Sequence, residues 1–186
     1  MDAIAGGVVG NLLNEHIDYK IERTGFGVWR HYLYESGARF SEFRSHQELL
    51  NWPLLHYIHG ISPETGRRVV AKGVIAVERL AMGGVAIGHA SFGIVAIGQL
   101  GLGILFGLAQ LSTGYWAIGQ AALGVEFGLG QLATGETAIG QLAFGDYVLA
   151  QVGWGEHVWA EGQQDPEAVS YFQDLWQRVK LFWEAV

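Results

Sequence analysis

The side chains best equipped for chemistry lie close together in the first third of the chain, where "HYIH" carries His56 and His59 and "SPETGRR" follows with Glu64, Arg67 and Arg68. Glu64, Arg67 and Arg68 side by side could hold an anion or a partner's carboxylate, with His56 and His59 beside them where the head meets the first coil. A metal is a poorer match, because residues three apart on a strand point to opposite faces. His56 and His59 would share an ion only on a helix, even with His46 nearby. The simpler account of the loop is a tight turn whose arginines pair with head carboxylates such as Glu42 or Glu48. The five residues therefore form a candidate ligand site rather than a catalytic set. No catalytic residue, metal or cofactor is expected.

Other chemistries lack their signatures. The 186 residues contain no cysteine, which removes thiolate nucleophiles, disulfide frameworks and cysteine-rich zinc sites. No serine elbow or paired-carboxylate site is visible. "GLGILFG" has no helix after it to make a phosphate loop. The net charge of -7 is unevenly placed: after Arg79 the next basic residue is Arg178, and acidic residues from Glu126 to Asp174 fall between. Such a surface repels phosphates, which argues against a nucleic-acid partner. Asp2 stands where a signal peptide would carry Lys or Arg, so a cytoplasmic location is expected.

The elements that position these residues divide into a head and a repeat. Over 1–72 the composition is ordinary and predicts a small α+β head. "NLLNEHIDYKIER" has helical spacing, "VWRHYLYESGARFSEFRS" reads as a hairpin turning at Ser36 and Gly37, and "WPLLHYIHG" and "VVAKGVIAV" read as strands flanking the SPETGRR turn. Over 73–162 the chain beats in fives, as in "YWAIGQAALG" and "ETAIGQLAFG". The first residue of every second unit forms a polar column: Arg79, His89, Gln99, Gln110, Gln120, Gln131, Gln141, Gln151 and Glu161.

No Asp, Glu, Lys or Arg occurs from Leu80 to Val125, which raises transmembrane helices as a rival. Glycines five apart on a helix land about 140° from one another and make no common face. Each would also cost a helix about 1 kcal/mol relative to alanine. A β-solenoid fits better, with glycines at positive-φ corners. Two coil sizes are open. A coil of about ten residues stacks Glu126, Glu136, Asp146 and Glu156 in one repelling column, whereas a coil of about 21 residues divides them and accounts for units of ten and eleven. The expectation is thus a right-handed, four-sided β-solenoid of about 21 residues per coil. Its larger side chains, such as Trp116, Ile118, Leu123, Leu142 and Phe144, would point inward and its alanines outward. Gln99, Gln120 and Gln141 on one side, and Gln110, Gln131 and Gln151 on another, would form two amide ladders that hold register.

The five-residue beat resembles the pentapeptide-repeat solenoids in architecture, although "AIGQxAxG" replaces their motif. "PLLHYIHGISPETGRRVVAKGVIAVERLAMGGVAIG" is similar to uncharacterised bacterial proteins with glycine and alanine repeats, over about residues 40–155. The resemblance implies a β-solenoid and transfers no catalytic residue. Residues 163–186 read as an amphipathic capping helix, with Asp165 as N-cap, Pro166 in the first turn, and Phe172, Trp176, Val179 and Trp183 in one stripe. The functions this favours are a scaffold that associates with itself or a protein partner, or a peripheral membrane protein held by helices at 1–13 and 166–184. A small-ligand or enzyme site where the head meets the first coil is the third.

Overall fold

The computed structural model describes residues 17–185. It is mainly β, with a solenoid of about 9 turns and one C-terminal helix. The head is an antiparallel meander of β1 (Lys20–Arg23), β2 (Gly27–Leu33) and β3 (Arg39–Ser45). Gly37, at φ 81°, makes the β2–β3 turn where the sequence places it. A two-residue hairpin follows, β4 (Glu48–Leu49) with β5 (Trp52–Pro53), before β6 (Leu55–His59) pairs with β3. The helix expected over 11–23 is corrected where it can be seen: Lys20–Arg23 pairs with β2 as a strand. A short isolated helix is marginal in water, whereas an alternating segment beside an open strand edge gains a ladder. The start of that stretch, and the proposed helix at 1–13, lie outside the described residues.

The head leads into the solenoid when β6 pairs in parallel with β7 (Ala71–Val77). The coils continue through β8 (Leu80–Thr134), β9 (Thr137–Phe144), β10 (Tyr147–Trp154) and β11 (His157–Ala160). The register corrects the expected coil. Ala71 pairs with Ala81, Phe127 with Thr137, Thr137 with Tyr147 and Tyr147 with His157, so one coil is ten residues. Pairing lapses at Gln141 and again at Gly145 and Asp146, which leaves two straight sides per coil rather than four. The eleven-residue units mark a local bulge and not a longer coil. A Cβ on Gly103 or Gly124 would meet the carbonyl three residues on, of Phe106 or Phe127, where plain corners such as Gly93 meet the carbonyl two residues on. The extra residue is absorbed at the corners holding Ile104 and Val125.

A two-sided coil is thin, and thinness decides what points inward. Ala76, Ala86, Ala96, Ala117 and Ala138 from one side, and Ala71, Ala81, Ala122, Ala133 and Ala143 from the other, are buried. Trp116, Leu123, Leu142 and Phe144 are exposed. The expected inside and outside are therefore reversed, because two facing sheets this close have room for one methyl per side and none for a leucine. The glycines also have a different cause. In the coils only Gly135 has positive φ, at 154°. A Cβ on Gly98 would sit 1.8 Å from the carbonyl oxygen of Gly88, and one on Gly145 2.0 Å from that of Gly135. Close approach between coils, not corner conformation, requires them.

The side continuous with the head sheet, which includes 75–77 and 137–139, is called here the front; the other, which includes 81–83 and 142–144, the back. Helix α1 (Pro166–Glu184) packs on the front, with Tyr171 stacked 4.2 Å from Tyr147 and its hydroxyl 2.7 Å from Thr137 Oγ1. Asp165 caps it, accepting from the Glu167 N–H at 2.8 Å. The helix does not lie across the last coil, as expected of a cap. That edge is met by β12 (Gln163–Gln164), antiparallel to β11.

Candidate functional site

At the junction of head and solenoid a file of polar groups runs along one face of β2, β3 and β6. His56 pairs with Ala76 and so occupies the first position of the inward front column. Its Nδ1 lies 3.0 Å from both the backbone N and the carbonyl O of Lys72, and its Nε2 lies 3.0 Å from Glu42 Oε1, a carboxylate oxygen that only accepts. Nε2–H is then the donor to Glu42. Arg30 donates from Nε to Glu42 Oε2 at 3.0 Å and again from Nη2. Its Nη1 reaches Glu64 at 3.4 Å, and the Tyr19 hydroxyl donates to Glu64 at 3.0 Å. Burial alone would raise the Glu42 carboxyl, but the hydrogen bonds from His56 and Arg30 outweigh it and hold the group below its ordinary range. Burial, then the bond to Glu64, pushes the Tyr19 phenol well up.

Of the five expected site residues, the structure places His56 and Glu64 at opposite ends of this one chain, linked through Glu42 and Arg30. His59 is exposed at the end of β6, paired with Ser41, and does not join His56. Arg67 contributes its backbone to the SPETGRR turn, which closes through Ser62 N–H to Arg67 O and Gly66 N–H to Ser62 O. Arg68 reaches Glu78 at 3.5 Å, not Glu42 or Glu48 as expected; Arg30 and Arg44 hold those. Glu78 is buried and also accepts from the Leu80 N–H at 2.6 Å.

Tyr19, Arg30 and Glu78 are the members that sequence reasoning missed. Glu78 had a signal: it stands in the position that Gly88 and Gly98 hold in the next coils, and a carboxylate there needs a cation. Arg30 had one as well, since the hairpin turning at Ser36 and Gly37 sets it opposite Glu42, but its reach to Glu64, 34 residues on, had none. A cleft of about 310 Å³ opens beside Arg30, Glu42, Arg44 and His46, and a second of about 270 Å³ beside His56 and Lys72. Among the described residues no buried side-chain polar atom lacks a partner, and no three His, Asp or Glu side chains are grouped to hold a metal.

The two corners of the coil carry the other polar columns. Gln99, Gln110, Gln120, Gln131, Gln141 and Gln151 stack along a single corner, because a ten-residue step cannot divide them between sides. They are exposed, and among the described residues no hydrogen bond joins one to the next, so the expected pair of ladders is absent. At the opposite corner Glu126, Glu136, Asp146 and Glu156 form the one column that the larger coil was expected to avoid. The Glu126 carboxylate, by charge and hydrogen bond, and then Asp146 raise the Glu136 carboxyl. Tyr115 donates to Glu126 at 2.9 Å and extends the column. Full contact with water is what makes it tolerable.

Between the corners both outer faces are apolar. The front is joined by aromatic residues of the head, with Trp29 4.9 Å from Phe43 and 5.8 Å from Tyr57. Near the C-terminus α1 overhangs it above a groove of about 950 Å³ lined by Leu129, Ile139, Leu149, Trp159, Phe172 and Trp176. Phe172 is buried, but Trp183 is 82% exposed, so the helix docks by its first half only. No helix among the described residues is long and apolar enough to cross a membrane. Comparison with known proteins returns no match among family models, curated proteins or solved structures.

Proposed function

We propose that this chain is a non-enzymatic scaffold that works by associating through the outer surface of its solenoid. The observation that carries the proposal is the reversal of inside and outside. Alanine fills the interior, and leucine, isoleucine, phenylalanine and tryptophan coat the exterior of a flat, rigid body. A monomer seldom presents contiguous apolar surface beyond about 300–600 Å² without a partner for it. The head junction supports the same reading, since its ionisable groups serve one another. Light scattering and sedimentation of the full chain at micromolar concentration should show a defined oligomer; a strict monomer would count against the proposal.

A second reading, attachment to a membrane surface, rests on the far half of α1. Trp176, Leu181, Phe182 and Trp183 are each more than half exposed there, beside Arg178 and Lys180. Co-sedimentation with vesicles containing anionic lipid should be lost on Phe182→Ser with Trp183→Ser. Absence of binding by the unaltered chain would sink this reading.

A further inference from the structure

We infer that the back of the solenoid is the self-association surface and that its occupant is the back of a second copy, the two axes running in opposite directions. This rests on the assembly reading and assigns its surface and its partner. Two outer faces are apolar, and area separates them. With strands about 4.8 Å apart and four residues of about 3.3 Å across each, the roughly nine passes of the back span about 550 Å² in plan. The relief of the side chains brings the accessible area toward the roughly 800 Å² per partner of a stable interface. The front is interrupted. Its last coils lie under α1, from Thr137 to His157, and the groove extends that cover to Leu129. About five solenoid passes remain, or roughly 300 Å² by the same geometry. The head strands that continue this face set Lys20, Glu22, His31 and His59 beside Trp29, Phe43 and Tyr57, so its uninterrupted apolar area falls short.

The chemistry of the back selects another back. Phe92, Leu102, Leu111, Leu123, Phe144 and Trp154 are each more than a third exposed on it. Outward positions along it are apolar or hydroxylic with one charged residue, Lys72 at its first pass. A partner bringing charged groups would bury them without a counter-ion, whereas an identical face brings none. Opposed axes keep the two Lys72 residues at opposite ends, each against the Trp154 end of the other copy. The acidic corner column stays at the rim, in water.

The full chain supplies the test, because it has no cysteine and the two faces offer matched sites. Leu102→Glu with Leu123→Glu charges the back; Ile87→Glu with Leu108→Glu charges the front at positions of closely similar exposure, 38–41% in all four. In parallel, Leu111→Cys marks the middle of the back and Leu108→Cys the front. The expected result is a dimer for the unaltered chain and the front variant, half that mass for the back variant, and an oxidised dimer from Leu111→Cys but not from Leu108→Cys. The cysteine pair decides if the charged variants fail to fold. An oligomer that survives the back charges and yields no Leu111→Cys dimer overturns this inference and leaves assembly standing through another surface. A monomeric unaltered chain overturns both. A monomer that co-sediments with phosphatidylcholine vesicles through the back would assign that face to lipid and overturn the inference as well.

Discussion

Val148 and Gly153 face each other across the interior where the coil before them has Ala138 opposite Ala143. A Cβ added to Gly153 would lie 2.5 Å from Val148 Cγ1, and Val148 is fully buried. The pair compensates in part: Val148 brings two carbons more than an alanine, and Gly153 gives up one. Val148→Ala should cost about 2 kcal/mol through the cavity it leaves, and Gly153→Ala about 1–3 kcal/mol through overpacking. The double variant recreates the Ala138 and Ala143 arrangement of the coil before it. Its loss, by chemical denaturation, should be at least 1 kcal/mol smaller than the sum of the single losses; simple additivity would mean that the two side chains do not share one space. Sequence alternation discloses that Ala138 and Ile139 belong to opposite faces of a strand. It does not disclose which of them is inside, because that depends on how far apart the sheets stand, and no single residue encodes that distance.

Elements show the same division between what is local and what is not. The β2–β3 hairpin was legible because Gly37 and the flanking alternation are neighbours in the chain, and α1 was legible from Asp165, Pro166 and its apolar stripe. The file Arg30–Glu42–His56 was not, since it is assembled by three strands and the repeat says nothing about it. The acidic corner was visible as four carboxylates but weighed wrongly: their repulsion is real, yet smaller in water than the gain of a continuous parallel ladder. That repulsion has a testable sign. The Glu136 carboxyl titrates above its ordinary 4.5 in the folded chain, chiefly because of the Glu126 charge. A raised carboxyl contributes stability below the unfolded value and loses it as pH rises through the folded one, so at pH 7 the charged form opposes folding. Glu136→Gln should therefore raise the melting temperature at pH 7. The gain should fade below about pH 4.5 and shrink in 1 M salt, where screening reaches about 3 Å. A gain that persists at pH 3 would point to packing rather than charge.

At the scale of the molecule, the repeat makes the chain nearly one-dimensional, each coil touching chiefly the coils before and after it. The head meets the first coil through His56 and the Arg68–Glu78 pair, and α1 holds the last ones through Tyr147 and Thr137. Between them one coil should be interchangeable with another, provided the step is ten. Removing 85–94 joins Gly84 to Val95 and advances the front and back columns together by one register, since Val85 already stands where Ile75 stands one coil earlier. The shortened chain should keep its strand spectrum and unfold cooperatively, losing stability by about one coil's share. Removing 85–89 instead would exchange front for back in every later coil, move α1 to the opposite face from the head sheet, and set the glutamine corner over the acidic one. That variant should lose the cooperative transition. A coil of 21 residues predicts no such difference, because ten is half and five a quarter of such a coil and either deletion would break its register. Thermal melts of the two deletions, followed by circular dichroism, therefore separate a two-sided solenoid from a four-sided one without reference to any partner.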